Sequence, residues 1–168
     1  MNVKDLTLTA LIAALYATLV VVLAPISYGP IQLRAADCLI PLSSLFGLPA
    51  VVGVSIGALV ANTYYFLSPI DIVLGTLANL IAAYLIFRMR GRLLFACIIG
   101  SCVIGGMVGG YLWLFFPPPD IFGLTLPVWF AMILSITISS LIAIAILGYG
   151  LVKALRASGL DSLSRKDN

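Results

Sequence analysis

Charged residues punctuate this chain at long intervals and leave apolar runs between them. No charge occurs between Asp5 and Arg34, between Asp37 and Asp71, between Arg92 and Asp120, or between Asp120 and Lys153. The runs are continuously apolar rather than alternating, which is the pattern of spanning helices and not of barrel strands. A helix needs about 20 apolar residues to cross a hydrocarbon core of about 30 Å, and lipid admits only helices or closed barrels. The interval from Cys38 to Ile70 holds 33 uncharged residues. As one helix it would reach about 50 Å, too long for one bilayer. Phe46-Gly47-Leu48-Pro49 is the natural break, since Pro49 has no N–H to donate and Leu48 is biased away from helix. Two helices, the first short, fit the interval.

The distribution of positive charge tests this count, because cytoplasmic loops are enriched in Lys and Arg. Eight of the nine basic residues fall into three groups: Lys4; Arg88, Arg90 and Arg92; and Lys153, Arg156, Arg165 and Lys166. Placing all three groups on the cytoplasmic side requires an even number of crossings between successive groups, and four plus two satisfies it. The expected fold is an all-α membrane protein, a bundle of six transmembrane helices near 6–26, 33–47, 49–67, 70–87, 93–115 and 124–152, with both termini cytoplasmic. Residues 1–156 form the membrane domain and 157–168 a short polar cytoplasmic tail. The outer loops then hold Arg34, Asp37, Asp71 and Asp120. The first run could also be read as a secretory signal peptide, but it is longer than a signal h-region and lacks a clear A-x-A exit. It is taken as the first span of a multi-pass protein of the cell membrane.

Composition agrees: 62% of residues are hydrophobic, 9% are charged, and the mean hydropathy is +1.21. Water cannot be the solvent for most of such a surface. The chain has no histidine and no glutamate, which removes His-based acid/base chemistry, H-E-x-x-H zinc chemistry and carboxylate–histidine di-metal sites. No catalytic residue, metal site or cofactor is expected, and the protein is not read as an enzyme. No G-x-x-x-x-G-K-[ST] occurs, so ATP-driven work would come from a partner. The net charge of +3 is distributed by membrane side and does not point to nucleic acid. Cys38, Cys97 and Cys102 lack C-x-x-C spacing and are read as packing residues.

On the first helix Ala10, Ala13, Ala14 and Ala17 form one small-residue stripe. Such a stripe lets another helix approach closely, within the bundle or from a separate subunit. Gly53-xxx-Gly57-xxx-Ala61, Gly105-xxx-Gly109 and Gly106-xxx-Gly110 repeat the pattern and are assigned to internal packing. The segment Ser27-Tyr28-Gly29-Pro30-Ile31-Gln32-Leu33-Arg34 sets an amide and a guanidinium at the outer edge of the apolar region, with Asp37 one turn after Arg34. A surface ion pair would explain that spacing, but charge in or beside a membrane segment is a functional candidate by default. Asp71 opens the fourth helix and could simply cap it. Asn79, two turns deeper, needs an amide partner inside the bundle. Asn62, Tyr64 and Tyr65 end the third helix near the same outer leaflet, while Tyr111 and Trp113 are read as interfacial anchors.

The alanine stripe, the string from Ser27 to Arg34, and Asp71-Ile72-Val73-Leu74-Gly75-Thr76-Leu77-Ala78-Asn79-Leu80 together resemble the QueT family over roughly residues 5 to 155. These are integral membrane substrate-capture subunits (S components) of energy-coupling-factor transporters associated with queuosine precursors. The resemblance implies a binding protein for a 7-deazaguanine that works in the lipid bilayer with a transmembrane coupling subunit and two ATPase subunits. It also implies that the coupling subunit contacts Ala10, Ala13, Ala14 and Ala17. Where the family has Ser-Glu-Ala after the Arg, this chain has Ala36-Asp37-Cys38, a carboxylate one methylene shorter. A guanine-like ring presents N–H and amino donors on one edge, which carboxylates accept, and a flat face that aromatic rings cover. Asp37 and Asp71 are the candidate acceptors. Gln32 with Asn62 or Asn79 would bond the ring's carbonyl and nitrogens, Arg34 would orient Asp37, and Tyr64 or Tyr65 would stack. The rival readings are an S component for another vitamin-like ligand and a structural membrane subunit that transports nothing.

Overall fold

The computed structural model describes residues 2–24, 34–116 and 126–159. Among these residues every regular element is helical, and six helices follow one another: α1 (Val3–Val22), α2 (Ala35–Phe46), α3 (Leu48–Tyr64), α4 (Pro69–Arg88), α5 (Leu93–Leu112) and α6 (Val128–Ala157). Four of them, α1, α4, α5 with its preceding turn, and α6, are long and apolar enough to cross a membrane. The other two are shorter apolar helices.

Local chemistry sets most of the boundaries. Asn2 and Asp5 form a reciprocal capping box at the start of α1. Ser68 caps α4, its hydroxyl accepting from the Asp71 N–H at 3.1 Å, and Pro69 occupies the first turn where no N–H is needed. Asp71 is therefore not the cap that its position suggested. The break inside the 33-residue interval falls at Gly47, whose φ of 68° is a backbone conformation that residues with a Cβ rarely adopt. Leu48 is helical, contrary to its expected bias, and Pro49 sits harmlessly in the first turn of α3.

The residues of α2 are 3₁₀-helical from Ala35 to Leu42 and α-helical only from Ser43 to Phe46. Pro41 lies inside the 3₁₀ stretch, where its ring and missing N–H disfavour an α-helical ladder. With a rise of about 2.0 Å per 3₁₀ residue, the 12 residues reach about 22 Å rather than about 18 Å. Opposite it, α6 widens into a π-helix from Leu141 to Gly148, and the two irregular stretches pack together. Gly148 makes this possible, since a Cβ there would stand 2.8 Å from both the Cys38 carbonyl oxygen and Pro41 Cγ.

Helix directions follow from which residues meet. Gly53 packs on Thr9 and Ile12, and Gly57 on Ala13 and Tyr16, so α1 and α3 run parallel. The Thr9 hydroxyl donates to the Pro49 carbonyl at 3.1 Å at the start of that contact. Gly47 beside Phe87, Gly100 beside Ile86 and Ala82, and Gly105 and Gly109 against Thr137 and Ile133 make α3/α4, α4/α5 and α5/α6 antiparallel. Lys4, Arg88, Arg90, Arg92, Lys153 and Arg156 consequently gather at one end of the bundle.

The small-residue stripes divide. Gly53, Gly57, Ala61, Gly105 and Gly109 are buried between helices as expected. Gly106 and Gly110 are not: both are exposed, with open space where a Cβ would go. On α1, Ala13 and Ala17 are half-buried while Ala10 and Ala14 face outward. Cys97 is buried in the core and Cys38 half-buried, but Cys102 is exposed.

Candidate functional site

Polar side chains gather in the half of the bundle remote from the basic residues. The mean environment there is apolar, so each needs a partner. Asp37 on α2, Asn62 on α3, and Asp71 and Asn79 on α4 are all at least nine-tenths buried. Asp71, Gly75 and Asn79 recur every fourth residue and so share one face of α4. Asn79 lies about 12 Å deeper along the axis than Asp71, and two connected layers result.

In the outer layer Tyr111 of α5 donates to Asp71 Oδ1 at 2.7 Å. Asn62 bridges two elements, accepting from Arg34 Nη2 at 2.9 Å and donating through Nδ2 to the Asp71 carbonyl at 3.4 Å. Gly75 leaves room for this crossing, since a Cβ there would lie 2.7 Å from Asn62 Nδ2 and 3.3 Å from Tyr111 Oη. In the deeper layer Tyr16 of α1 donates to Asp37 Oδ1 at 2.5 Å and accepts from Asn79 Nδ2 at 2.7 Å. Arg34 stands close enough to both Asp37 and Tyr16 for its charge to act on them, joining the layers. Each buried carboxylate thus holds one tyrosine hydroxyl on a single oxygen. A carboxylate has about four lone-pair sites, so its capacity to accept from a bound molecule exceeds what one tyrosine uses.

The structure therefore brings Arg34, Asp37, Asn62, Asp71 and Asn79 together. Tyr64 is set apart, being 68% exposed at the end of α3, and Tyr65 is half-buried and meets it edge to face at 5.1 Å. Gln32, like the rest of the segment from Ser27 to Leu33, lies outside the described residues, as does the Pro117-Pro118-Pro119-Asp120 stretch. Two residues of the cluster were not anticipated. Tyr111 is 6% exposed and bonded to Asp71, not an interfacial anchor; Trp113, partly exposed, donates only to the Gly110 carbonyl of its own helix. Tyr16 is fully buried on α1. Its signal was its depth, since a phenol in mid-span has no interface to snorkel to and must find a polar partner within the protein.

Among the described residues no group of three His, Cys, Asp or Glu side chains could hold a metal ion. The chemistry available is hydrogen bonding by carboxylates, amides, phenols and a guanidinium.

Residues 6–157 match the family model described as QueT transporter. The chain belongs to the QueT transporter family. A curated relative, the "Queuosine precursor transporter QueT" of Lactococcus lactis subsp. cremoris (strain MG1363), is 34% identical over 93 residues. That match covers 54% of this chain and 51% of the relative, so it spans about half the relative's length. No solved structure matches the chain. QueT membership and the four helices long and apolar enough to cross make this a multi-pass membrane protein.

Proposed function

We propose that this protein is the substrate-capture subunit of an energy-coupling-factor transporter and binds a queuosine precursor, a 7-deazaguanine, from outside the cell. The observation that carries the reading is the two-layer cluster of Asp37, Tyr16 and Asn79 below Asp71, Tyr111 and Asn62, built from five helices at one end of the bundle. The family and the name of the Lactococcus lactis relative support the substrate class. Two buried carboxylates suit the donor-rich edge of a 7-deazaguanine, and the amides of Asn62 and Asn79 suit its carbonyl and ring nitrogens. Arg34 positions Asn62 and Asp37. Tyr65 covers the flat face of the ring, and Gln32 bonds its carbonyl or ring nitrogens.

The clustering of Lys4, Arg88, Arg90, Arg92, Lys153 and Arg156 at the opposite end supports a cytoplasmic placement of that end, with both termini inside and the cluster toward the outside. ATP hydrolysis belongs to two partner ATPases, reached through a transmembrane coupling subunit that docks on the outward face of α1 at Ala10 and Ala14, with Ala13 and Ala17 on its margin. Mass spectrometry of small molecules retained by the detergent-purified protein tests the reading, followed by titration with 7-deazaguanines and with flavin and pyrimidine competitors. Saturable binding of a 7-deazaguanine is expected. Preference for a competitor would reassign the ligand, and absence of any saturable binding would leave a structural subunit.

A further inference from the structure

A groove of about 600 Å³ opens at the basic end of the bundle, between the α4–α5 connection and the last turns of α6. Four cations line it: Arg90 and Arg92 from the connecting turn, Lys153 and Arg156 from α6. No carboxylate lines it among the described residues. Two of the cations rest against aromatic rings, Arg90 at 5.6 Å from the centroid of Phe87 and Lys153 at 5.2 Å from that of Tyr149. These contacts hold the side chains near the groove without neutralising them.

Its floor is the first turn of α5, and Leu93, Leu94 and Phe95 all line it. No side chain caps that helix, so the positive end of a 20-residue dipole faces the groove. Four like charges and an uncapped N-terminus repel one another unless an anion sits among them.

The remaining walls are apolar. Leu94, Phe95 and Ile98 step down α5 away from the cations, and they are 47%, 52% and 39% exposed. They lie on a helix long and apolar enough to span the membrane, so this exposed strip enters the hydrocarbon layer. A small soluble anion would use the charges and leave the strip unoccupied. A molecule with an anionic head and an acyl chain uses both.

We propose that this groove is a binding site for an anionic phospholipid, whose phosphate sits among Arg90, Arg92, Lys153 and Arg156 and whose acyl chain lies along Leu94 and Ile98. The proposal is independent of which substrate the opposite end binds.

Native mass spectrometry of the full-length protein, released from detergent in the presence of graded dioleoyl phosphatidylglycerol or dioleoyl phosphatidylcholine, tests it. The phosphatidylglycerol adduct is expected to be favoured by roughly tenfold or more. The quadruple variant R90Q/R92Q/K153Q/R156Q should bind the two lipids alike. The pair variants R90Q/R92Q and K153Q/R156Q should each lose part of the preference, which keeps the test decisive if the quadruple variant does not fold. Inorganic phosphate at millimolar concentration should not displace the lipid, because it has no chain to place along α5. Equal binding of both lipids by the unaltered protein, full preference retained in both pair variants, or displacement by inorganic phosphate would each overturn the assignment.

Discussion

The Tyr16 hydroxyl points its proton at Asp37 Oδ1 across 2.5 Å, although the two residues sit on different helices and both are buried. The same phenol oxygen accepts from Asn79. Tyr16→Phe keeps the ring and its packing but removes a donor from Asp37 and an acceptor from Asn79. Leaving buried polar groups unpaired costs about 1–3 kcal/mol. Tyr16→Phe should therefore lower the thermal midpoint in detergent, and an unchanged midpoint would show that Asp37 and Asn79 find other partners.

Asp37→Ala and Asp71→Ala should each weaken binding of a 7-deazaguanine by roughly tenfold or more, since one buried acceptor lost leaves a ligand donor unsatisfied. Isothermal titration on the purified variants measures this. Unchanged affinity in both would remove the carboxylates from the proposed site.

Gly75→Ala places a Cβ against the Asn62 amide and the Tyr111 hydroxyl. Those two side chains must shift, and with them the hydrogen bonds that reach Asp71. The expected outcome is reduced ligand affinity with the helical circular dichroism spectrum retained. A variant that binds as the parent does would mean that the outer layer adjusts freely.

The glycine stripes should respond in opposite ways. At Gly57 a Cβ would lie 2.8 Å from the Ala13 carbonyl oxygen and from Tyr16 Cβ, and a backbone oxygen cannot rotate aside. Gly57→Ala should destabilise the protein by about 1–3 kcal/mol, the usual range for overpacking. Gly106→Ala, with open space around it, should be neutral or slightly stabilising, because alanine is the better helix former. Denaturation in mixed micelles compares them directly.

Ala14→Trp on the outward face of α1 should abolish co-purification of a coupling subunit and its ATPases while leaving ligand binding intact. Loss of both together would instead mark Ala14 as part of the internal packing.

How much of this was legible in the chain depends on what lipid penalises. Six helices could be counted because a charge is costly in hydrocarbon, so Asp5, Asp37, Asp71, Arg88, Arg92 and Lys153 had to fall near ends. Asp37, Asn62, Asp71 and Asn79 could be singled out for the same reason. Tyr16 is not singled out by the sequence and Tyr111 reads as an interfacial anchor because a phenol is half apolar, and its position along a helix does not disclose the partner of its hydroxyl. Those partners lie 21, 63 and 40 residues away in sequence, for Asp37, Asn79 and Asp71 respectively. The choice between Tyr64 and Tyr65 is open for a different reason: adjacent residues of a helix point about 100° apart, and nothing in Asn62-Thr63-Tyr64-Tyr65 says which ring turns outward. The mixture of 3₁₀ and π geometry in α2 and α6 was hidden too, since Pro41 signals a disturbance but not its form.

The parallel pairing of α1 with α3 also orders the birth of the protein. Two neighbouring helices that point the same way cannot meet until the chain has turned back once between them, so α1 is made with its glycine-facing groove empty. The Thr9 hydroxyl gains its Pro49 acceptor 40 residues later, and Tyr16 waits 63 residues for Asn79. The nascent chain therefore carries a polar hydroxyl into lipid ahead of its partners. Only when α4 has been threaded does the first helix acquire its final surroundings, which makes the deeper layer of the cluster a late event of membrane insertion.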